Sequence, residues 1–353
     1  MGRRKVIIVA LILSMGLLMA LYYARQTYPS CLESCAAYHQ AIIAGTADSP
    51  HRYRVLAPFA VQAAFAPTSA GSIGVAYVTA HMITLPTMLL MMFVWFKRWV
   101  GGSAALVGVL FVAAYSPIMF GVGAYGISLY TPVEVIFLIA GLMWLTSGRG
   151  GVVFGVIVAL ATLNRETAIL LVIAYGVLRV FVSPSSRKDA SPPSRKDALV
   201  PTPETTPHPQ PAKTPHPQPL SQKQERGDKK LLAIYAGVWA VIVVGVRVWR
   251  GAAPDQVTAA AIFAANFGGG WVTTEAMINH GVLIPLWLLA IVGLRQSTPT
   301  MKKIALIGVP YVALLGVFAM WNETRLLLPL MVVWMPLALR AIENPARLSE
   351  VRS

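Results

Sequence analysis

Charge is what this chain has least of. Asp, Glu, Lys and Arg make up 12% of its 353 residues, half the roughly 25% usual in a soluble domain. That scarcity excludes a soluble enzyme and a DNA-binding module. Cysteine is nearly absent too: Cys31 and Cys35 are the only two, too few for a secreted disulfide scaffold. Acids are rarer than bases, 14 against 29, so the formal net charge is +15. What fills the chain instead is apolar: 56% hydrophobic residues and a mean hydropathy of +0.63. Such a chain has the bilayer as its solvent.

The apolar runs predict an all-α fold, a polytopic transmembrane helix bundle of about ten spans of roughly 20 residues each. The spans read as 6–24, 71–96, 102–121, 131–146, 150–163, 167–182, 231–249, 281–295, 303–320 and 325–342. Three regions follow: an N-terminal membrane half, 1–182, with an outer loop at 25–70; a linker, 183–229; and a C-terminal membrane half, 230–353. The first run follows Gly2-Arg3-Arg4-Lys5 without a clear cleavage site, so it reads as an uncleaved anchor rather than a signal.

With the N-terminus inside and spans alternating, all ten lysines and twelve arginines face the cytoplasm, against seven acids. The outer side then holds seven arginines (25, 52, 54, 165, 247, 250, 325), seven acids and no lysine. The whole +15 therefore lies inside, as the positive-inside rule requires, and it reports orientation rather than nucleic-acid binding. Both termini are therefore expected to be cytoplasmic.

Residues 183–229 differ in kind. They are rich in Pro, Ser, Lys and Arg and contain two near-duplications, Ser186–Ala190 with Ser194–Ala198 and Thr206–Pro211 with Thr214–Pro219. Such composition cannot bury a core and is expected to be disordered on the cytoplasmic side; His208 and His216 fall within it. Gly121-Val-Gly123-Ala-Tyr-Gly126 matches a dinucleotide-binding pattern, but no strand precedes it, and that reading fails. Cys31 and Cys35 stand four apart in the outer loop, where either a local disulfide or two thiols fit. No metal and no cofactor are expected.

The informative pattern is the pairing of arginine with acid at span ends. The clusters are Asp48-Ser-Pro-His51-Arg52-Tyr53-Arg54, Asn164-Arg165-Glu166-Thr167, Glu275 with His280, and Asn322-Glu323-Thr324-Arg325. Arginine keeps its charge at low dielectric and grips phosphate with a planar fork, which suits an anionic substrate. Ionisable residues at membrane depth are costly and default to a functional reading. Plainer readings stand beside it. Thr131-Pro-Val-Glu134 and Ser30-Cys-Leu-Glu33 have the form of capping boxes. Arg165–Glu166 and Glu323–Arg325 can be ion pairs pinning helix ends, Arg247 and Arg250 interfacial snorkelers, and His81 a packed core histidine. Apolar residues at 55, 56, 59, 60, 63 and 64 place an amphipathic helix over 52–66, suited to the outer interface, and 256–267 forms a second candidate.

The arrangement of a first span, an outer loop bearing an acid, and an interfacial helix opening His51-Arg-Tyr-Arg-Val-Leu-Ala-Pro58 is one part of a resemblance. Leu163-Asn-Arg-Glu-Thr-Ala168 and Trp321-Asn-Glu-Thr-Arg-Leu-Leu-Leu-Pro329 are the others. Together they resemble bacterial membrane proteins of the GT-C glycosyltransferase superfamily. The resemblance implies a polyprenyl-phosphate-linked sugar donor, inverting transfer on the extracytoplasmic side, and an acceptor glycan, lipid or protein. It also implies a general base in the first outer loop: Asp48 by position, Glu33 second. Donor-phosphate contacts would map onto Arg52, Arg54, Arg165 or Arg325, with Glu166, Glu275, His280 and Glu323 completing the substrate site. The chain departs from many members in lacking an Asp-x-Asp motif in that loop. Two further readings use the same residues: a transporter or flippase for a lipid-linked or anionic substrate, and a non-catalytic structural membrane protein.

Overall fold

The computed structural model describes residues 3–65, 67, 72–121, 129–180, 222–251, 260, 264, 274–318 and 324–344. Among these there is no strand. The principal helices are α1 (Arg3–Ala44), α2 (Leu56–Ala64), α3 (Ile73–Phe96), α4 (Gly102–Gly121), α5 (Tyr130–Thr146) and α6 (Val152–Asn164). They continue as α7 (Ile169–Tyr175), α8 (Gln222–Arg250), α9 (Thr274–Arg295), α10 (Pro299–Phe318) and α11 (Leu328–Glu343). Short 3₁₀ turns occupy His51–Tyr53, Glu166–Ala168 and Thr324–Leu327, and a π turn, Gly176–Val180, extends α7. The described residues of the ten apolar runs are almost all helical. Three stretches, Lys5–Arg25, Ile73–Phe96 and Arg226–Arg250, are long and apolar enough to cross a membrane.

Three expected boundaries are corrected. Most of the first half of the 25–70 loop is helix, because α1 runs on through Ala44. Hydropathy falls at Arg25, but Ala36, Ala37, Ala41 and Ala44 keep helix propensity high; α1 runs on through Pro29 and stops at Gly45. There the chain closes a Schellman motif: Gly45 N–H donates to Ile42 O at 3.1 Å and Thr46 N–H to Ala41 O at 2.8 Å, with Gly45 at φ +72°. The 52–66 helix divides into the His51–Tyr53 turn and the shorter α2, whose Ala57, Pro58 and Val61 pack inward. α8 begins at Gln222, inside the stretch read as linker, and 181–221 lie outside the described residues. Residues 122–126 of the glycine motif, most of the 256–267 stretch, and His208 and His216 lie outside the described residues.

Two helices organise the core. α3 packs against α1, α4 and α5; α11 packs against α9, α10, α4 and α5. Met88, Leu89, Met92, Trp95 and Phe96 of α3 meet Leu330, Met331, Val332 and Leu337 of α11 in one buried cluster. α9 comes so close to α11 that a Cβ on Gly293 would stand 1.9 Å from Leu337 O, an approach that small residues permit between membrane helices.

α11 carries Pro336 inside it. Proline has no N–H, so the carbonyl one turn back, at Val332, loses its helical donor. Trp95 Nε1 supplies the replacement from α3, donating to Val332 O at 2.8 Å in a fully buried setting. Trp95→Phe should therefore cost about 1–3 kcal/mol, the penalty for an orphaned buried carbonyl, besides any packing loss. Adding Pro336→Ala restores an N–H to Val332 and should recover part of the melting temperature lost in detergent. No recovery would show that the indole serves packing alone.

Candidate functional site

Polar and charged side chains gather where the start of α5, the α6–α7 junction, the 51–54 turn and the end of α8 meet. The innermost element is an ion pair. Arg165 Nη1 donates to Glu134 Oε2 at 2.7 Å, and Thr167 Oγ1 donates to the other carboxylate oxygen. Both charged side chains are over 90% buried. Burial works against the Arg165 charge, but Glu134, with smaller help from Glu166, more than offsets it and holds the guanidinium protonated. Behind the pair lies a cavity of about 10 Å³, lined by Glu134, Thr167 and Leu138 among others. It is far too small for a sugar.

Glu134 is therefore not the helix cap its sequence pattern announced. α5 starts at Tyr130 with no side-chain cap at all, and the carboxylate turns instead to the α6–α7 junction. Arg165 likewise chooses Glu134 over its chain neighbour Glu166. That leaves Glu166 beside Arg54, with Oε2 and Nε 3.9 Å apart. Arg54 also lies over the Tyr130 ring, 5.5 Å from its centroid. Backbone bonds fix this geometry: Val55 N–H donates to Leu163 O at 3.1 Å, Asn164 Nδ2 to Tyr130 O at 2.9 Å, and Trp239 Nε1 to Glu166 O at 3.0 Å.

The 51–54 turn is held from its other side by α8. Tyr53 Oη donates to Gly251 O at 3.2 Å, and Arg247 lies 5.3 Å over the Tyr53 ring. Arg250 is no snorkeler: it is 6% exposed and Nη1 donates to Ile42 O and Ile43 O at 2.8 and 2.9 Å. It thus caps the last turn of α1, where a cation also meets the negative end of the helix dipole. Gly45 leaves room for this, since a Cβ there would stand 2.9 Å from Arg250 Nη1. Asp48 is exposed, and its carbonyl accepts from Arg52 N–H at 3.1 Å; Arg52 is half-buried.

Next to this cluster His39 is fully buried on α1, with Tyr77 Oη 3.0 Å from Nδ1 and Gln62 Oε1 2.8 Å from Nε2. One neutral tautomer satisfies both: Nε2–H donates to Gln62 and Nδ1 accepts from Tyr77. Burial lowers the His39 pKa below 6.5, with the Gln62 bond opposing. The unfolded chain then binds the proton more readily than the folded one. The His39 contribution is complete above 6.5 and is lost as pH falls below that value toward the folded pKa. Melting temperature should drop between pH 7.5 and 5, and His39→Gln, which cannot titrate, should flatten that slope. An unchanged slope would assign the acid sensitivity to other groups. His81 is the packed histidine expected, 4% exposed with Nδ1 bonded to Tyr77 O.

Of the residues singled out from sequence, Arg54, Arg165 and Glu166 come together, with Asp48 and Arg52 on the adjoining turn. Tyr311, which interacts electrostatically with Glu134 and Arg165, donates to Leu326 O at 2.6 Å and so brings the Thr324–Leu327 turn to the same region. The side chains of Glu33 on α1, Glu275 and His280 on α9 and Arg325 on that turn, and Glu323 altogether, lie outside the described residues. Glu134 and Arg250 were not assigned to the site from sequence; each announces itself only through partners distant along the chain. Among the described residues no group of three or more His, Cys, Asp or Glu could hold a metal ion. The cluster joins five arginines (52, 54, 165, 247, 250) to three carboxylates (48, 134, 166), a surplus of positive charge that favours an anion. No family model, curated protein or solved structure matches the chain.

Proposed function

We propose that the chain is a GT-C-like glycosyltransferase of the bacterial plasma membrane, with ten spans and both termini cytoplasmic. It moves a sugar from a polyprenyl-phosphate donor to an acceptor on the extracytoplasmic side. The observation that carries the reading is the arginine surplus at one end of the bundle, with the exposed carboxylate of Asp48 on the turn that bears Arg52 and Arg54. An acceptor hydroxyl attacks the anomeric carbon, its proton passes to Asp48, and the bond to the phosphate oxygen breaks with inversion. Fixed positive charge on Arg52 and Arg54 meets the negative charge that grows on the departing lipid phosphate. Arg165 and Glu134 are engaged with each other, so they hold the site together rather than touch the donor. α2, with Phe59 exposed, suits the outer interface where such a donor lies.

The purified protein should release sugar from a polyprenyl-phosphate-linked donor in vitro. Absence of release across a panel of such donors and acceptors would sink the proposal. A non-catalytic role is the second reading, favoured by one observation: Arg165 and Arg250 both bind internal partners and join distant segments. A transporter would instead move the donor across the bilayer without cleaving it, which the same assay separates.

A further inference from the structure

Arg250 uses only one of its three guanidinium nitrogens. Nη1 serves the Ile42 and Ile43 carbonyls, whereas Nε and Nη2 are buried without a hydrogen-bond partner. An arginine 94% removed from solvent, with that edge of its fork unused, is an unsettled charge. The Trp249 and Phe59 rings lie 4.3 and 5.4 Å from its Cζ and offer a π face, but no acceptor. A second cation lies close by. Arg52 is close enough to act on Arg250 by direct repulsion, and its Nη2 would stand 3.7 Å from a Cβ on Gly251, the residue that follows Arg250. The Tyr53–Gly251 bond ties together the two segments that carry these arginines. Two guanidinium groups held close repel each other, and an anion that contacts both lowers that repulsion.

We infer that Arg250 and Arg52 form an anion site for a phosphate group, bound by the Nε/Nη2 edge of Arg250 and by the Arg52 guanidinium. Phosphate is favoured because its oxygens match the two parallel donors of that edge. The group belongs either to a lipid headgroup beside Trp249 and Phe59, both exposed, or to a soluble phosphate. The site shares Arg52 with the transferase reading, but requires no transfer chemistry.

The test is thermal unfolding of the full chain. In detergent, sodium phosphate replaces sodium chloride at constant ionic strength; in nanodiscs, phosphatidylglycerol is added to a phosphate-free galactolipid bilayer. A rise in melting temperature with either probe is expected. Arg250→Lys keeps a cation for the α1 carbonyls but loses the second edge, and Arg52→Gln removes the other donor. Each should weaken half-saturation by roughly tenfold or more, the loss of a charge-assisted hydrogen bond. A response to both probes, or to phosphate alone, assigns a soluble anion; a response to the lipid alone assigns the headgroup. No shift in the wild-type chain, or an undiminished shift in the variants, overturns the site. If Arg250→Lys does not fold, Arg52→Gln decides. Asp48→Asn should keep the shift, so sugar release without a shift removes only this site, and a shift without sugar release removes only the transferase.

Discussion

Arg165→Met should lower unfolding free energy by about 3–5 kcal/mol, the usual cost of leaving one buried charge without its partner. Glu134 would remain in place, over 90% buried, with only Thr167 to bond it. The neighbouring cavity, about 10 Å³, is too small for the several waters a bare carboxylate needs. The expected readout is a large drop in the detergent melting temperature and in the fraction of protein recovered monodisperse. The double variant Arg165→Met with Glu134→Leu should recover most of that loss, because apolar pairs of similar volume often replace a buried ion pair without net cost. Equal damage in the single and double variants would mean that the pair is needed for more than mutual neutralisation, and would return Arg165 to the list of ligand-binding residues.

That contrast bears on what could be read before the fold was known. Apolar runs marked helices well, because a segment surrounded by lipid or by other apolar helices must satisfy its backbone internally. Hydropathy placed the end of the first run near residue 24, whereas helix α1 ends at Ala44, just before Gly45. Hydropathy reports the solvent a residue prefers, whereas termination is decided by the backbone, and Gly45 was available as a stop signal. Arginine and acid clustering was also legible at Arg54, Arg165 and Glu166, since charge in so apolar a chain has few places to lie.

Pairing was not legible. Thr131-Pro-Val-Glu134 is a good local cap pattern, but a hydrogen-bonded arginine 31 positions away outcompetes a backbone N–H for the carboxylate. Arg250 at the end of an apolar helix reads as a snorkeler, and nothing local reveals that the carbonyl end of α1, 208 positions earlier, stands within reach. Trp95 opposite Pro336 is the same kind of case. Proline's missing donor can be read from sequence, but the identity of its substitute cannot.

Asp48→Asn should reduce sugar transfer by about 10²–10⁴-fold, the usual contribution of a positioned general base, with the donor KM almost unchanged. The amide keeps the size and most of the hydrogen-bonding shape of the carboxylate, but it cannot accept the acceptor's proton. Asp48 is exposed, and its contact with Arg52 includes the backbone bond from Arg52 N–H to Asp48 O. That bond survives the substitution, so the turn and the arginines it carries should stay in place. Arg54→Lys should do the reverse. It retains charge near Glu166 and Tyr130 but loses the planar fork, so the donor KM should rise while kcat changes less. The pair of variants separates proton transfer from phosphate recognition. Full turnover in Asp48→Asn would remove Asp48 as base and transfer the role to Glu33, tested in the same assay with Glu33→Gln. Equal losses of kcat and donor affinity in Asp48→Asn would instead mean that the turn had moved, and that Asp48 positions the arginines rather than accepts a proton.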